Sequence, residues 1–308
     1  MRLSRRLALG ASVLAVAVMA AACSTGGGSK PTIKVGSVGF DEARIMAEAY
    51  AQVLEANGYT VNRDGIGIGD RKVLLPALES GQIDLQPEYI GSGLGAGYGG
   101  KPTGDPAANK AALQEILNGK GGGITVLAYT PAQDQNAFVV RKETADALKL
   151  TKMSDVAAVQ DQLKLGLAKD CPTNPLCGAP GGALSEAYGI DTSKATLLDA
   201  CSTPMADALK SKTIDLGELC STQPDIIVNG FVLLEDDKQT QPADNIAPLV
   251  RNDFLAKTDK AAFSKLLDDL SAKIDTPTLA DLYKQVSVDK KDIKDVVSTF
   301  LKAQGLVK

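Results

Sequence analysis

One ten-residue pattern occurs twice in this chain of 308 residues, and it limits the folds that the chain can adopt. Residues 76–85 read PALESGQIDL and residues 207–216 read DALKSKTIDL. Each copy predicts the end of a helix, a tight turn and a short strand. Two explanations stay open: a general helix-to-strand turn, or two similar α/β lobes. In two such lobes, equivalent strands would each end in a loop at the edge where open α/β sheets bind ligands.

Strand and helix patterns alternate around the first copy. Ile33–Ser37 predicts a strand, Glu42–Asn57 a helix with one apolar face, and Tyr59–Arg63 a second strand. Asp70 is the predicted N-cap of a helix that ends at Ser80. This alternation predicts an α/β domain with a mainly parallel sheet.

The second copy predicts a lobe inserted into the first. We expect residues 33–130 and 232–308 to form lobe 1 and residues 131–231 to form lobe 2, with a strand within Gln162–Lys169. Three amphipathic helices should follow the return, at Thr258–Ala272, Pro277–Val286 and Asp289–Gln304. Two crossings of the chain predict a two-strand hinge beside a central cleft.

The N-terminus has the pattern of an export signal. Arg2, Arg5 and Arg6 precede an apolar run that ends at Ala22, and Cys23 follows. Residues 1–22 therefore predict a signal peptide, and the run is too short for a membrane anchor. Cys23 matches the lipidated cysteine of bacterial lipoproteins, although Ala20 stands where a leucine is usual. Residues 23–32 read as a lipidated tether, on the extracytoplasmic side of the cell membrane.

Four further cysteines predict two disulfides in an exported chain. They are Cys171, Cys177, Cys201 and Cys220, and they allow three pairings. The short Pro-rich loop from Cys171 to Cys177 favours closure on itself, which leaves Cys201 for Cys220. A zinc site is the alternative, but the chain has no His and no CxxC spacing, so we expect no metal.

The composition argues against several functions. Removing residues 1–22 takes away three arginines and no acidic residue, which moves the net charge from −4 to −7 and argues against a nucleic-acid partner. The glycine-rich run at residues 95–101 continues with Pro102, where a phosphate-binding loop has Ser or Thr. Without His, a Ser-His-Asp triad is impossible. We therefore expect neither an enzyme nor a bound cofactor.

Four segments carry a resemblance to a known family: VGSVGFDEARIMAEAYAQVLEANGY from residue 35, ALESGQIDLQPEYIGSG from residue 77, AQDQNAFVVRKETA from residue 132 and FVLLEDDKQTQPADNIAPLVR from residue 231. In this order the chain resembles the substrate-binding proteins of ABC importers for glycine betaine, choline and carnitine. The resemblance implies a two-lobed fold like that of type II periplasmic binding proteins. It also implies a small-molecule ligand and, as a partner, a membrane permease with a cytoplasmic ATPase.

The resemblance also implies a binding site. In the family, a box of tyrosines holds the methylated ammonium by cation–π attraction. Tyr89 matches a box tyrosine, whereas Asn136, Cys220 and Ala243 stand where the family has the others. An aromatic residue that only caps the strand end is the alternative for Tyr89. The expected ligand-binding residues are Ser37, Phe40, Asp41, Tyr89, Tyr129, Asp134, Asn136, Thr222 and Gln223.

The lost tyrosines change the expected ligand. Phe40, Tyr129 or Tyr188 could replace one or two of the missing aromatic walls. Without them, the polar side chains suit a neutral polar or hydroxylated ligand, because polar groups left unpaired in a closed cleft are costly. We therefore expect glycine betaine and choline to bind weakly. An exported scaffold without a transport role is the alternative from another functional class.

Overall fold

The computed structural model describes residues 30–121 and 123–308. The predicted signal peptide, Cys23 and the tether up to residue 29 lie outside the described residues. The strands are β1 Thr32–Val38, β2 Thr60–Gly69, β3 Leu85–Tyr89, β4 Ile124–Val126, β5 Asn136–Arg141, β6 Leu165–Ala168, β7 Thr196–Leu198, β8 Leu216–Cys220, β9 Phe231–Leu234 and β10 Ile246–Arg251.

Helices cover the faces of the sheets. They are α1 Asp41–Ala56, α2 Arg71–Ser80, α3 Ile90–Ser92, α4 Pro106–Gly119, α5 Lys142–Leu148, α6 Ala183–Tyr188, α7 Thr203–Lys210, α8 Pro224–Asn229, α9 Asn252–Leu255, α10 Lys260–Ser271, α11 Thr276–Ser287 and α12 Ile293–Ala303. The predicted N-cap is confirmed, because the Asp70 carboxylate accepts a hydrogen bond from the backbone N–H of Lys72. Asp259, Asp275 and Asp292 cap α10, α11 and α12 in the same way. None of the described helices is long and apolar enough to cross a membrane.

The two five-stranded sheets have the same topology. Their strand orders are β2-β1-β3-β10-β4 and β7-β6-β8-β5-β9. In each sheet the strand from the repeated segment, β3 or β8, is parallel to one neighbour and antiparallel to the other. The sheets are mixed rather than mainly parallel, because the strands nearest the crossings, β5 and β10, run antiparallel to their neighbours.

The repeated segments make the same contacts in both sheets. The Asp84 carboxylate accepts from the backbone N–H of Lys34 at 3.0 Å, and the Asp84 N–H donates to the Lys34 carbonyl at 2.7 Å. Asp215 makes the same pair of bonds to Lys164, at 3.0 and 2.7 Å. The aspartate of the IDL motif therefore ties each strand to its parallel neighbour, and the repeat reflects two similar lobes.

The chain returns from the second sheet to the first later than predicted. The sequence assigns residues from 232 onward to lobe 1, but Val232–Leu234 belongs to β9, which pairs with β5 in the second sheet. The chain re-enters the first sheet at β10. Pairing between β5 and β9 spans about ninety residues of sequence, so no local pattern could have placed this boundary.

Two crossings connect the lobes, at residues 127–135 and 235–245. The first crossing pairs with the second and with the start of β10: the Asp134 N–H donates to the Asp244 carbonyl at 3.1 Å, and the Thr130 N–H donates to the Ile246 carbonyl at 2.8 Å. The Asn245 side-chain amide adds a 2.9 Å bond to the Thr130 carbonyl. These bonds form the predicted two-strand hinge.

Both predicted disulfides are present, between Cys171 and Cys177 and between Cys201 and Cys220. Cys171 and Cys177 are buried in the core of the second lobe, where they pack with α6. Cys220 ends β8, as Tyr89 ends β3. The two residues therefore occupy equivalent positions in the two lobes.

Candidate functional site

A cavity of about 390 Å³ lies where the two lobes and both crossings meet. Phe40, Arg71, Tyr89 and Ser92 line it from the first lobe, Asp134 and Asp244 from the crossings, and Asn136 and Cys220 from the second lobe. A larger cavity of about 580 Å³ adjoins the same crossings and also includes Asn136. We assign the site to the first cavity, because it contains Tyr89, Asp134 and Asp244. Burial raises the pKa of both aspartates.

Tyr89 reaches this cavity because β3 ends there. Pro87 lies opposite Pro248 of β10, so neither strand offers an N–H to its neighbour at that pair. Gly91 then lets the loop lie against the return crossing, since a Cβ there would be 2.5 Å from the Ala243 carbonyl oxygen. The glycine of PEYIG is therefore required by close packing.

The Tyr89 side chain is buried and held on three sides. Its hydroxyl donates a 2.6 Å hydrogen bond to Oε1 of Glu42. Its ring centre lies 5.6 Å from that of Phe40, and the Arg71 guanidinium lies over the ring at 5.9 Å. Tyr89 thus presents an aromatic surface to the cleft, but Arg71 already occupies part of it.

Glu42 is a buried carboxyl group beneath this surface. Burial, together with the nearby charge of Asp134, raises its pKa from 4.5 to about 8. The neighbouring Thr222 hydroxyl acts in the opposite direction, but it donates its one proton to Oδ1 of Asp134 at 2.8 Å. Oε2 of Glu42 is thus buried without a hydrogen-bond partner among the residues that the structure describes. Burial also raises the pKa of Asp134.

Asp244 brings a third carboxyl group to the cleft. The backbone N–H and the hydroxyl of Ser92 donate to it at 2.8 and 2.5 Å, which fixes the end of the PEYIGS loop. Burial nevertheless raises the pKa of Asp244 from 3.8 to about 7. The charge of Arg71 opposes this rise in the pKa of Asp244, but its guanidinium pairs with the buried Glu88 at 2.9 Å.

The structure brings together part of the predicted site. Phe40, Tyr89, Asp134 and Asn136 line the cavity. Thr222 donates its hydrogen bond to Asp134, which is part of the cavity wall. Gln223 follows Thr222 in the chain; its amide nitrogen donates to Asp225 at 2.8 Å, and its amide oxygen has no hydrogen-bond partner within residues 30–121 and 123–308.

Other predicted residues have structural contacts instead. The Ser37 hydroxyl accepts from the Gly67 N–H at 3.0 Å and so joins β1 to β2. Asp41 forms an ion pair with Arg44 at 3.2 Å. Tyr129 packs against the core of the first lobe, and Tyr188 of the second lobe donates to Asp236 on the return crossing. Phe40 is therefore the suggested replacement that lies beside Tyr89.

Sequence reasoning missed Glu42, Asp244, Ser92 and Arg71. Glu42 carried a signal, because it lies three residues before Ile45 and so continues the apolar stripe of α1. An acidic residue on a buried stripe indicates a functional or paired carboxylate. Asp244 lies in an irregular segment without such a pattern, and only the fold places it opposite Ser92.

Comparison with known proteins adds the family. A model described as the substrate-binding domain of ABC-type glycine betaine transport systems, OpuAC, matches residues 31–303. The chain belongs to the OpuAC family. It is 29% identical over 303 residues to the glycine betaine-binding protein YehZ of Escherichia coli, covering 94% of this chain and 96% of that protein. It is 28% identical to a glycine-betaine-binding protein of Pseudomonas aeruginosa, covering 90% and 89%.

A solved structure agrees with the fold. A crystal structure described as a glycine betaine/carnitine/choline ABC transporter has a TM-score of 0.78 to this chain at 22% identity, covering 89% of this chain and 99% of that one. The fold is thus the two-lobed α/β type of periplasmic binding proteins that the sequence predicted. Membership of OpuAC makes the chain the substrate-binding protein of a glycine betaine-type ABC transporter, not an enzyme.

Proposed function

We propose that this OpuAC protein is lipid-anchored through Cys23 on the extracytoplasmic side of the cell membrane. There it captures a small solute between its lobes and delivers it to an ABC permease with a cytoplasmic ATPase. Support for the anchor comes from the signal pattern of residues 1–22 and the cysteine that follows it. Support for the partner comes from the family, whose members serve ABC transporters.

The cleft is the observation that carries solute capture. It lies between two similar lobes joined by paired crossings, a geometry that permits hinge closure over a ligand. Tyr89, the residue that matches the family's aromatic box, lies in its wall. We therefore propose a ligand of the quaternary ammonium class, such as the glycine betaine of the relatives' names, or choline.

A neutral polar or hydroxylated ligand is the second candidate for the same cleft. Asn136 lines the cavity where the family has a tyrosine, and an amide favours hydrogen bonding over cation–π contact. The scaffold hypothesis differs from both candidates, because it requires no ligand at all.

A binding screen tests these proposals. Residues 24–308, which retain both sheets and both crossings, should be titrated calorimetrically with glycine betaine, choline, carnitine, glycerol and sorbitol. We expect saturable binding of at least one of the first three, and an increase in melting temperature. A ligand at about 100 times its Kd adds about 2.7 kcal/mol of stability. Binding of the polyols alone would support the second candidate, and a flat response to all five would support a scaffold.

A further inference from the structure

The charges around the cleft are not balanced. The guanidinium of Arg71 pairs with Glu88 and acts on Asp244 only through its charge, with no ion pair between them among the described residues. The side chains of Glu42, Asp134 and Asp244 instead accept hydrogen bonds from uncharged groups: the Tyr89 hydroxyl, the Thr222 hydroxyl, and the N–H and hydroxyl of Ser92. A buried carboxylate without a counter-charge is costly, and it keeps a proton unless a cation arrives.

The positions of these carboxyl groups suit one ligand. Asp134 and Asp244 lie on the two crossings, joined by their backbone hydrogen bond of 3.1 Å, and both side chains line the cavity. Glu42 lies behind them, and its buried Oε2 has no partner in the described part of the chain. The aromatic surface is small by comparison, because Arg71 covers part of Tyr89. Carboxylates, more than rings, would therefore recognise a positive group here.

We propose that the cleft exchanges protons for its ligand: an organic cation without a carboxylate binds against Asp134 and Asp244, and Glu42 releases a proton to solvent as it binds. This inference rests on the proposed function and refines its ligand class. A zwitterion would bring its own carboxylate into the same acidic surroundings, where like charges repel. Choline should therefore bind better than glycine betaine.

The direction of the pH effect follows from the groups around Glu42. The groups that act on the Glu42 carboxyl are Tyr89 on β3, Asp134 and Asp244 on the crossings and Thr222 after β8, and Tyr283 on α11 lies within range of its charge. Asp41 pairs with Arg44 on α1, and Arg71 on α2 pairs with Glu88 on β3. Further along α1, Glu48 pairs with Arg63 of β2. With pKa values of about 8 for Glu42 and about 7 for Asp244, the empty cleft retains protons at neutral pH. A bound cation lowers both pKa values, so its affinity rises with pH up to about 8 and then levels off.

Calorimetry with three matched probes tests the proposal on residues 24–308. Choline carries the cation, 3,3-dimethyl-1-butanol is its uncharged isostere, and glycine betaine replaces the alcohol with a carboxylate. At pH 8 we expect choline to bind at least about tenfold more tightly than either. At pH 7 we expect about one proton to be released per choline bound. The binding enthalpies measured in phosphate and in Tris should therefore differ by about the difference between the ionisation enthalpies of the two buffers.

Variants assign the effect to residues. Asp134→Asn and Asp244→Asn should each weaken choline binding about tenfold or more and leave 3,3-dimethyl-1-butanol unaffected. Glu42→Gln should remove most of the proton release and flatten the pH profile, an effect that a purely structural role would not produce. Asp207→Asn, the same change on the exposed face of α7, is the matched control and should alter neither.

Three results would overturn the inference. These are equal affinity for choline and its uncharged isostere, tighter binding of glycine betaine than of choline at pH 8, and choline binding by the wild-type protein without proton release. The last needs no variant, so a poorly folding Glu42→Gln does not protect the proposal. If one of these three results is obtained but glycine betaine or a polyol still binds, the receptor function stands and only the proton exchange fails. If none of the probes or screened solutes binds, the proposed function fails as well.

Discussion

The hydroxyl of Tyr89 donates a 2.6 Å hydrogen bond to Oε1 of Glu42, 47 positions earlier in the chain. This bond joins the strand end that carries the PEYIGS motif to the first turn of α1. Both side chains are buried, so neither can exchange its partner for water. Tyr89 therefore has two roles, as part of the cleft wall and as the only donor that Oε1 of Glu42 has among the described residues.

The first prediction separates these roles. Tyr89→Phe keeps the ring but removes the donor, so we expect a loss of about 1–2 kcal/mol in the free energy of unfolding, because a buried acceptor is left unpaired. Tyr59→Phe is the control, since this ring lies in an aromatic cluster with Phe254 and Phe263. It should change stability by less than about 0.5 kcal/mol. Urea denaturation measures both, and equal stability of the two variants would contradict the role of the bond.

The second prediction compares the two disulfides. Cys201–Cys220 closes a longer stretch of chain than Cys171–Cys177, with sequence separations of 19 and 6. In the chain-entropy model, replacing the first pair with alanine costs about 3 kcal/mol and the second about 2 kcal/mol. Cys220 lines the cavity itself, whereas the second pair reaches the cavity only through the neighbouring Leu176, so loss of the first pair should weaken ligand binding more. Denaturation of both double variants measures the loss of stability, and calorimetry measures the loss of ligand affinity. A larger loss of affinity on removing the second pair would contradict this prediction.

Much of the fold was accessible from the sequence because it depends on local rules. The Asp70 cap, the ends of the helices and the short Cys171–Cys177 loop follow from residues close in sequence. The repeat extended this reach, since the two IDL segments make the same bonds to their neighbouring strands. The end of the inserted lobe was missed, because β9 joins its sheet through a partner far away in sequence.

Only part of the candidate site could be predicted, because its other contacts join residues that are far apart in the sequence. Motif similarity identified Tyr89 and Asp134, but it could not show that Arg71 lies over the Tyr89 ring or that Glu42 lies beneath it. Whether an acidic residue is solvated or buried depends on what packs against its helix, which one sequence does not reveal. The prediction of a neutral ligand took the missing tyrosines into account, but not the carboxyl groups of Glu42 and Asp244.

The third prediction concerns the anchor. Cys23→Ala should prevent lipid attachment and move the exported protein from the membrane pellet to the soluble fraction, because the proposed lipid is attached at that cysteine. The change lies outside residues 30–308, so ligand affinity should stay the same. Cell fractionation with an antibody measures the distribution, and Ser24→Ala serves as the adjacent control. Persistent membrane retention of the Cys23→Ala protein would refute the lipid anchor.

The last prediction concerns stability without any ligand. Burial raises the pKa of Glu42 from 4.5 to about 8, so the folded protein holds a proton there that the unfolded chain gives up above about pH 4.5. The folded state binds more protons than the unfolded state across this window, and the free energy of unfolding must therefore fall as pH rises from about 5 to 8. Asp244, with a pKa of about 7, contributes in the same direction.

Glu42→Gln isolates the contribution of this one residue. Its amide is neutral at every pH and can still accept the Tyr89 hydrogen bond, so the variant should match the wild type at pH 5. At pH 8 it should be the more stable protein, by on the order of 2–4 kcal/mol. Glu115→Gln, on an exposed part of α4, should follow the wild type throughout. Urea denaturation at pH 5, 6.5 and 8 measures all three proteins. If wild type and Glu42→Gln lose stability in parallel from pH 5 to pH 8, Glu42 carries no proton in the folded state, and the charge that the cleft offers to a cation must lie elsewhere.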